Sequence, residues 1–156
     1  MAEVADVVRH AIAGDEPRIQ ELVRSVLSEY DLSFDLDGHD RDLLDIRGSY
    51  ASRGGCFLVV ETEGRVTGCA GLYPRSLDEG ELRKMYLSPD ARGRGLGRAL
   101  LHRLIDETRR HELKRLTLES HSSLPAALRL YESAGFTFIP HADPSERADI
   151  AMQLLL

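Results

Sequence analysis

The sequence predicts a single α/β domain of the α+β type, with a mostly antiparallel central sheet flanked by about four helices. Length sets the domain count, since 156 residues and 17.4 kDa suit one domain with a real core. The order of apolar periods sets the class: runs alternating at period two and runs spaced at three and four follow one another as β–α–α–β–β–β–α–β–α–β–β. A hairpin sets the character of the sheet. "CFLVVET" (Cys56–Thr62) and "RVTGCAGLYP" (Arg65–Pro74) flank Glu63-Gly64, a tight-turn dipeptide that joins antiparallel strands.

The first strand is Val4–Ile12, rich in β-branched residues. A helix follows, with Asp15 as its N-cap, Pro17 in its first turn and Ile19, Leu22, Val23, Val26 and Leu27 on its apolar face. The acidic stretch after it carries a short helix over Asp40–Tyr50. Beyond the hairpin, Gly80–Pro89 continues the sheet. Residues "PDARGRGLGRALL" (Pro89–Leu101) then open a helix whose apolar face is Leu96, Ala99, Leu100, Leu104 and Ile105. Leu113–Ser120 is a strand. "SSLPAALRLYESAGF" is a helix with a Ser cap, stopped by Gly135. "FTFIP" and "ADIAMQLLL" close the sheet. There is no repeat, low-complexity tract or linker.

Composition excludes several partners. A net charge of −6 argues against a general polyanion binder, so nucleic acid is not expected. No apolar run approaches the roughly 20 residues of a membrane span. The first residues carry acids where a signal peptide would carry a basic region, which makes a cytoplasmic protein the expectation. Cys56 and Cys69 each fall in a strand with no paired spacing, and read as small core residues. The six histidines form no ligand pattern with Cys, so no metal site is expected.

The glycines at 93, 95 and 97 stand where a strand runs through a short turn into a helix. Glycine costs a helix stability, and three at alternate positions have no evident structural return. A helix N-terminus offers unpaired N–H groups and the positive end of the helix dipole, and glycines let an anion approach them. Arg92, Arg94 and Arg98 add positive charge. A phosphate-bearing ligand is the reading. The Walker pattern fails for want of a Lys-Ser/Thr pair, and the Rossmann pattern because its third glycine comes one place early.

"ELRKMYLSPDARGRGLGRALL" resembles the central motif of the GNAT superfamily of acyl-CoA-dependent N-acyltransferases, Gln/Arg-x-x-Gly-x-Gly/Ala, here Arg92-Gly93-Arg94-Gly95-Leu96-Gly97. "LRLYESAGF" resembles the second signature of that family, a Tyr-bearing helix that ends at Gly-Phe. The resemblance covers nearly the whole chain, residues 1–156. It implies a GNAT-like domain with splayed fourth and fifth strands and acetyl-CoA as acyl donor. It also implies that Arg92, Gly93, Arg94, Gly95, Leu96, Gly97 and Arg98 hold the pyrophosphate, while the backbone of Met85, Tyr86 and Leu87 pairs with the pantetheine arm. It leaves a homodimer open.

The same resemblance implies Tyr131 as general acid to the departing thiolate, which a phenol protonated at neutral pH can be. For the base, Glu81 is the choice, and alternation places it on one strand face with Arg83, Met85 and Leu87. Glu119 matches the acid that other members use, and water alone serves many of them. Many members carry an Asn seven residues before the Tyr, and here that position is Leu124. The implied activity is acetyl transfer to a primary amine of a small molecule or peptide by direct attack in a ternary complex. The alternative is a catalytically inert acyl-CoA-binding domain. Asp31, Asp35, Asp37, Asp40, Asp42 and Asp45 would form an acidic wall for a cationic acceptor, whereas Arg83 would suit a carboxylate.

Overall fold

The computed structural model describes residues 5–145 and 147–156. The sequence-predicted strand start at Val4 lies outside them. The elements are β1 (Asp6–His10), α1 (Glu16–Glu29), α2 (Ile46–Ser49), β2 (Cys56–Thr62), β3 (Arg65–Pro74), β4 (Glu79–Leu87), α3 (Leu96–Arg110), β5 (Arg115–Ser120), α4 (Pro125–Ser133), β6 (Thr137–Ile139) and β7 (Ile150–Leu155). The expected order holds. The expected helix over Asp40–Tyr50 is instead a chain of short pieces: 3-10 turns at Arg41–Leu44 and Ala51–Arg53 on either side of α2. Asp45 breaks it, in an extended conformation with its carboxylate accepting from the Gly48 N–H at 2.9 Å.

One seven-stranded sheet runs in the order β1-β2-β3-β4-β5-β7-β6. All pairs are antiparallel except β4 and β5. The β2–β3 turn has positive φ at both Glu63 (50°) and Gly64 (78°), the backbone that a two-residue hairpin needs. Helix α1 covers one face of the sheet, burying Ile19, Leu22, Val23, Val26 and Leu27 against Phe57, Val59 and Cys69. On the other face, α3 buries Leu96, Leu100, Leu101, Leu104 and Ile105 against Leu58, Val60, Leu72 and Leu116. Both faces of β2 are covered, which is why it reads as an unbroken apolar run. Ala99, expected on the buried face of α3, is exposed, and Leu101 takes its place.

Two expected caps are not made. The Asp15 carboxylate turns away from α1 to Arg9 (2.8 and 3.1 Å), Arg18 (3.0 Å) and the Ile12 N–H (2.8 Å). Helix α4 has Leu124 at its N-cap with no side-chain bond, since Ser122 is held by Asp149 and Ser123 by His121. Gly135 does stop that helix, with φ of 103°. No helix among the described residues is long and apolar enough to cross a membrane.

Candidate active site

Strand β4 changes partners part-way along. Over Gly80–Leu82 it pairs with β3 on one side, and over Glu79–Leu82 with β5, residues Arg115–Leu118, on the other. From Arg83 onward the β5 pairing ends, and β5 continues through Glu119 and Ser120 paired only with β7. A cleft of about 370 Å³ opens between the parted strands. The turning point is a bulge. Cys69 opposes Tyr86 and Gly71 opposes Arg83, so two steps on β3 face three on β4. Lys84 sits in the bulge with φ of 54°, uncommon for a residue with a Cβ.

The bulge changes which side chains share a face. Glu81 and Arg83 lie with Tyr73 and Tyr86 on the α1 side, whereas Leu82, Met85 and Leu87 pack on the α3 side. The expected common face of Glu81, Arg83, Met85 and Leu87 therefore ends at Arg83, because the inserted residue shifts the alternation by one.

The glycine segment follows β4 in the chain and leads into α3. Gly93 and Gly95 have φ of 74° and 78°, and a Cβ on either would meet nothing within 4 Å. Their backbone conformation, not crowding by the protein, asks for glycine. At Gly97 the reason is packing, since a Cβ would lie 3.2 Å from Leu87 Cδ1 and 3.3 Å from Leu130 Cδ2. All three thus have the structural return that the sequence does not display. Gly95 is the N-cap of α3 and supplies no side-chain bond. The Ala99 N–H reaches the Gly95 carbonyl at 3.1 Å, so the N–H groups of Leu96, Gly97 and Arg98 precede the helix ladder. Arg92 is braced to the Leu87 carbonyl (3.2 and 3.0 Å) and to the Glu29 carboxylate (3.0 and 2.9 Å). Arg94 reaches Asp6 at 3.2 Å. Two of the three expected cations therefore sit in ion pairs at the loop's edge.

Tyr131, on α4, lines the cleft from the α3 side and is only 6% exposed. It also packs on Phe136 with ring centroids 5.8 Å apart, so core packing and the cleft claim the same side chain. Burial, with a smaller contribution from nearby Tyr86, pushes its phenol well above the ordinary value. It stays protonated at neutral pH.

Glu81 reaches the cleft with both oxygens occupied: Arg83 Nε donates to one at 2.7 Å and Arg75 to the other at 2.9 Å. Glu119 also lines the cleft, 55% exposed. Its neighbour is His141 Nε2 at 3.3 Å, too poorly aligned for a hydrogen bond. The His141 side chain is 6% exposed, and its Nδ1 accepts from the Asp143 N–H at 3.1 Å. Leu124, in the position of the family's Asn, lines the cleft as an apolar side chain, beside His121.

Of the six acids of the expected wall, Asp31, Asp35, Asp37 and Asp45 are exposed, while Asp40 and Asp42 are turned inward. Asp40 is fully buried and takes both terminal nitrogens of Arg147 (2.7 and 3.1 Å), the Asp35 N–H (2.8 Å) and Lys84 at 3.5 Å. Burial pushes its carboxyl up, but these partners outweigh it and hold the group below the usual carboxylate range. Asp42 accepts from the Tyr50 hydroxyl and pairs with Lys84 at 3.2 Å. These acids satisfy cations and a phenol of this chain, not a ligand. Arg75, Tyr73, Lys84, His141 and Arg147, none of them singled out by the sequence, all take part in the site. Their only advance signal was that each falls in or beside a strand.

Residues 20–136 match the sequence profile of the acetyltransferase (GNAT) family. The chain belongs to the GNAT acetyltransferase family. Among its GNAT relatives, the uncharacterised N-acetyltransferase YjgM of Escherichia coli K12 is 35% identical over 148 residues, covering 91% of this chain and 88% of that protein. The structure of yncA from Salmonella typhimurium, solved with its cofactor acetyl-CoA, superposes with a TM-score of 0.74 at 28% identity. It covers 97% of this chain and 94% of its own. A GNAT-family acetyltransferase from Staphylococcus aureus Mu50 shares the fold at a TM-score of 0.89 and 19% identity, over 96% of this chain and 98% of that one. The parted β4 and β5 belong to this GNAT architecture. Among the described residues no group of three or more His, Cys, Asp or Glu is gathered to hold a metal ion.

Proposed function

We propose that the protein transfers an acetyl group from acetyl-CoA to a primary amine, by direct attack while both substrates are bound. One observation carries this reading: β4 leaves β5 after Leu82, so Met85 and Tyr86 border a cleft that Tyr131 also lines. An amide-bearing chain laid in that gap replaces the missing strand and bonds the free edge of β4. A backbone N–H there also polarises the thioester carbonyl. The uncapped start of α3 and the left-handed Gly93 and Gly95 support a pyrophosphate at the loop's N–H groups. Arg98 and, after rearrangement of their ion pairs, Arg92 and Arg94 add charge to it.

In the transfer, the amine nitrogen bonds to the acetyl carbon and the carbon–sulfur bond breaks. The amine loses one proton to a base, and Tyr131 gives its hydroxyl proton to the departing sulfur and regains one from solvent. The products are the N-acetylated amine and CoA thiol. For the base, Glu81 is the choice read from the sequence, yet each of its oxygens already accepts from a guanidinium. Glu119 has oxygens open to the cleft, so the geometry favours it, acting directly or through one water.

The test follows CoA thiol release from acetyl-CoA with a panel of amines, alongside the melting temperature. Acetyl-CoA is expected to raise the melting point through binding to the native state. Thiol release should depend on an amine, with Glu119→Gln lowering kcat by about 10²- to 10⁴-fold, the usual contribution of acid–base catalysis. A comparable kcat loss in Glu81→Gln, with Glu119→Gln active, returns the base to Glu81. A thermal shift with no thiol release from any amine marks an inert acyl-CoA-binding domain.

A further inference from the structure

Four Arg or Lys side chains line the cleft: Arg75, Arg83, Lys84 and Arg147. Two are fully committed within the protein. Arg147 places both terminal nitrogens on Asp40, and Lys84 lies among the His39 carbonyl (3.0 Å), Asp42 and Asp40. The other two share a single acid. Arg75 and Arg83 each donate to one oxygen of Glu81, which leaves this group of three with an excess positive charge. Arg83 is the better organised. Its guanidinium carbon lies over the Tyr73 ring, 3.8 Å from the centroid, and its Nε is held by Glu81 at 2.7 Å. Neither of its terminal nitrogens has a hydrogen-bond partner among the described residues, and the side chain is 26% exposed.

A guanidinium fixed by a ring below and a carboxylate on its inner edge presents its remaining N–H groups as a preformed fork. That fork matches the two oxygens of a carboxylate. Glu119 stands on the same face one strand over: Glu81 is level with Thr117 on β5, so Glu119 is two residues further on, beside the level of Arg83. The cleft thus sets a cation on one wall against an anion on the other. A simple diamine or polyamine would meet the uncompensated charge of Arg75 and Arg83, whereas a zwitterion satisfies both walls.

We propose that the acyl acceptor is a small amine that carries a carboxylate, an amino acid. Its carboxylate sits on Arg83 and Arg75, and its amine faces Glu119 and the thioester. This rests on the acetyl-transfer reading above. Glu81 then serves as the brace that sets the plane of Arg83, a positioning residue, which accounts for both of its oxygens being occupied.

The test pairs each of a set of amino acids with its carboxamide and with the amine lacking the carboxyl group, reading thiol release from acetyl-CoA. The wild-type kcat/KM for the amino acids should exceed that for either partner by about tenfold or more, the scale of a charge-assisted pair. Arg83→Gln should raise the amino-acid KM by a similar factor, bring the amino-acid-to-carboxamide ratio close to one, and leave the KM for acetyl-CoA in place. Arg83→Lys, which keeps the charge and loses the fork, should fall between them. Should Arg83→Gln fail to fold, Arg75→Gln, at a side chain 51% exposed, should shrink the same ratio by a smaller factor. Equal wild-type turnover of amino acids and carboxamides, or faster turnover of diamines, overturns the proposal while acetyl transfer stands. Binding of acetyl-CoA with no turnover of any amine overturns both.

Discussion

The two sides of the cleft are built from different materials. On the α3 side the surfaces are backbone and apolar packing: the free edge of β4 and Tyr131 set against Phe136, with the uncapped turn at Gly95 following β4 in the chain. On the α1 side they are charged side chains held by one another: Arg75, Glu81 and Arg83 in one group, Asp40, Asp42, Lys84 and Arg147 in the other. Backbone groups recognise what every acyl-CoA shares, its amides and phosphates. Side-chain charges recognise what differs among acceptors. On the function proposed above, the fixed substrate meets the part of the fold that mutation alters least, and the variable one meets the part that single substitutions can rewrite.

Tyr131→Phe should produce the largest effect and act on the apolar side alone. It keeps the ring against Phe136, so the denaturation midpoint should barely move, while kcat falls by about 10²- to 10⁴-fold. Normal turnover in Tyr131→Phe would remove the acid from that side and leave only binding there.

Asp40→Asn attacks the charged side. It strips a fully buried carboxylate from Arg147 and Lys84, and unfolding in urea should show a loss of about 3–5 kcal/mol. Acetyl-CoA should still raise the melting temperature of the folded variant. The depressed Asp40 carboxyl also fixes a sign with pH. Its contribution is complete above the ordinary carboxylate value of about 4 and is lost as pH falls through the folded value. Asp15 behaves the same way, so the variant should lose part of the wild type's acid sensitivity and not all of it. An Asp40→Asn protein as stable as the wild type would show that the two sides are not separately braced.

Gly95→Ala is the mildest test. Holding Ala at φ near 78° should cost about 1 kcal/mol, read as a lower melting temperature. The acetyl-CoA shift should shrink and not vanish, because the new methyl enters open space. In Gly95→Glu, with a longer and negatively charged side chain, the shift should disappear. A full ligand response in Gly95→Glu would remove the anion from the loop.

Local chemistry was legible in the sequence. The Glu63-Gly64 turn, the glycine segment and the Tyr131 helix each declare themselves within a dozen residues, and the structure keeps all three in place. The bulge was not legible. A lysine at positive φ has no signature, and without that extra residue the alternation put Met85 and Leu87 beside Glu81. Nor was the Asp40–Arg147 pair, whose members lie 107 positions apart. An acidic run in isolation reads as a surface for cations, and only the folded chain shows that its cations are internal.

Lys84 carries one more consequence. Its carbonyl accepts from the Cys69 thiol at 3.0 Å, its ammonium is tied to the His39 carbonyl, Asp40 and Asp42, and its left-handed backbone sits between these two anchors. Burial lifts the Cys69 thiol to about 12, so that donor keeps its proton throughout the neutral range. The residue that turns β4 away from β5 is thus pinned from the sheet and from the loop after α1. On the function proposed above, the gap in which the donor lies is held open by contacts within the protein. The donor's arrival should be a single concentration-dependent step, with the waiting time set by diffusion and orientation rather than by opening of the protein.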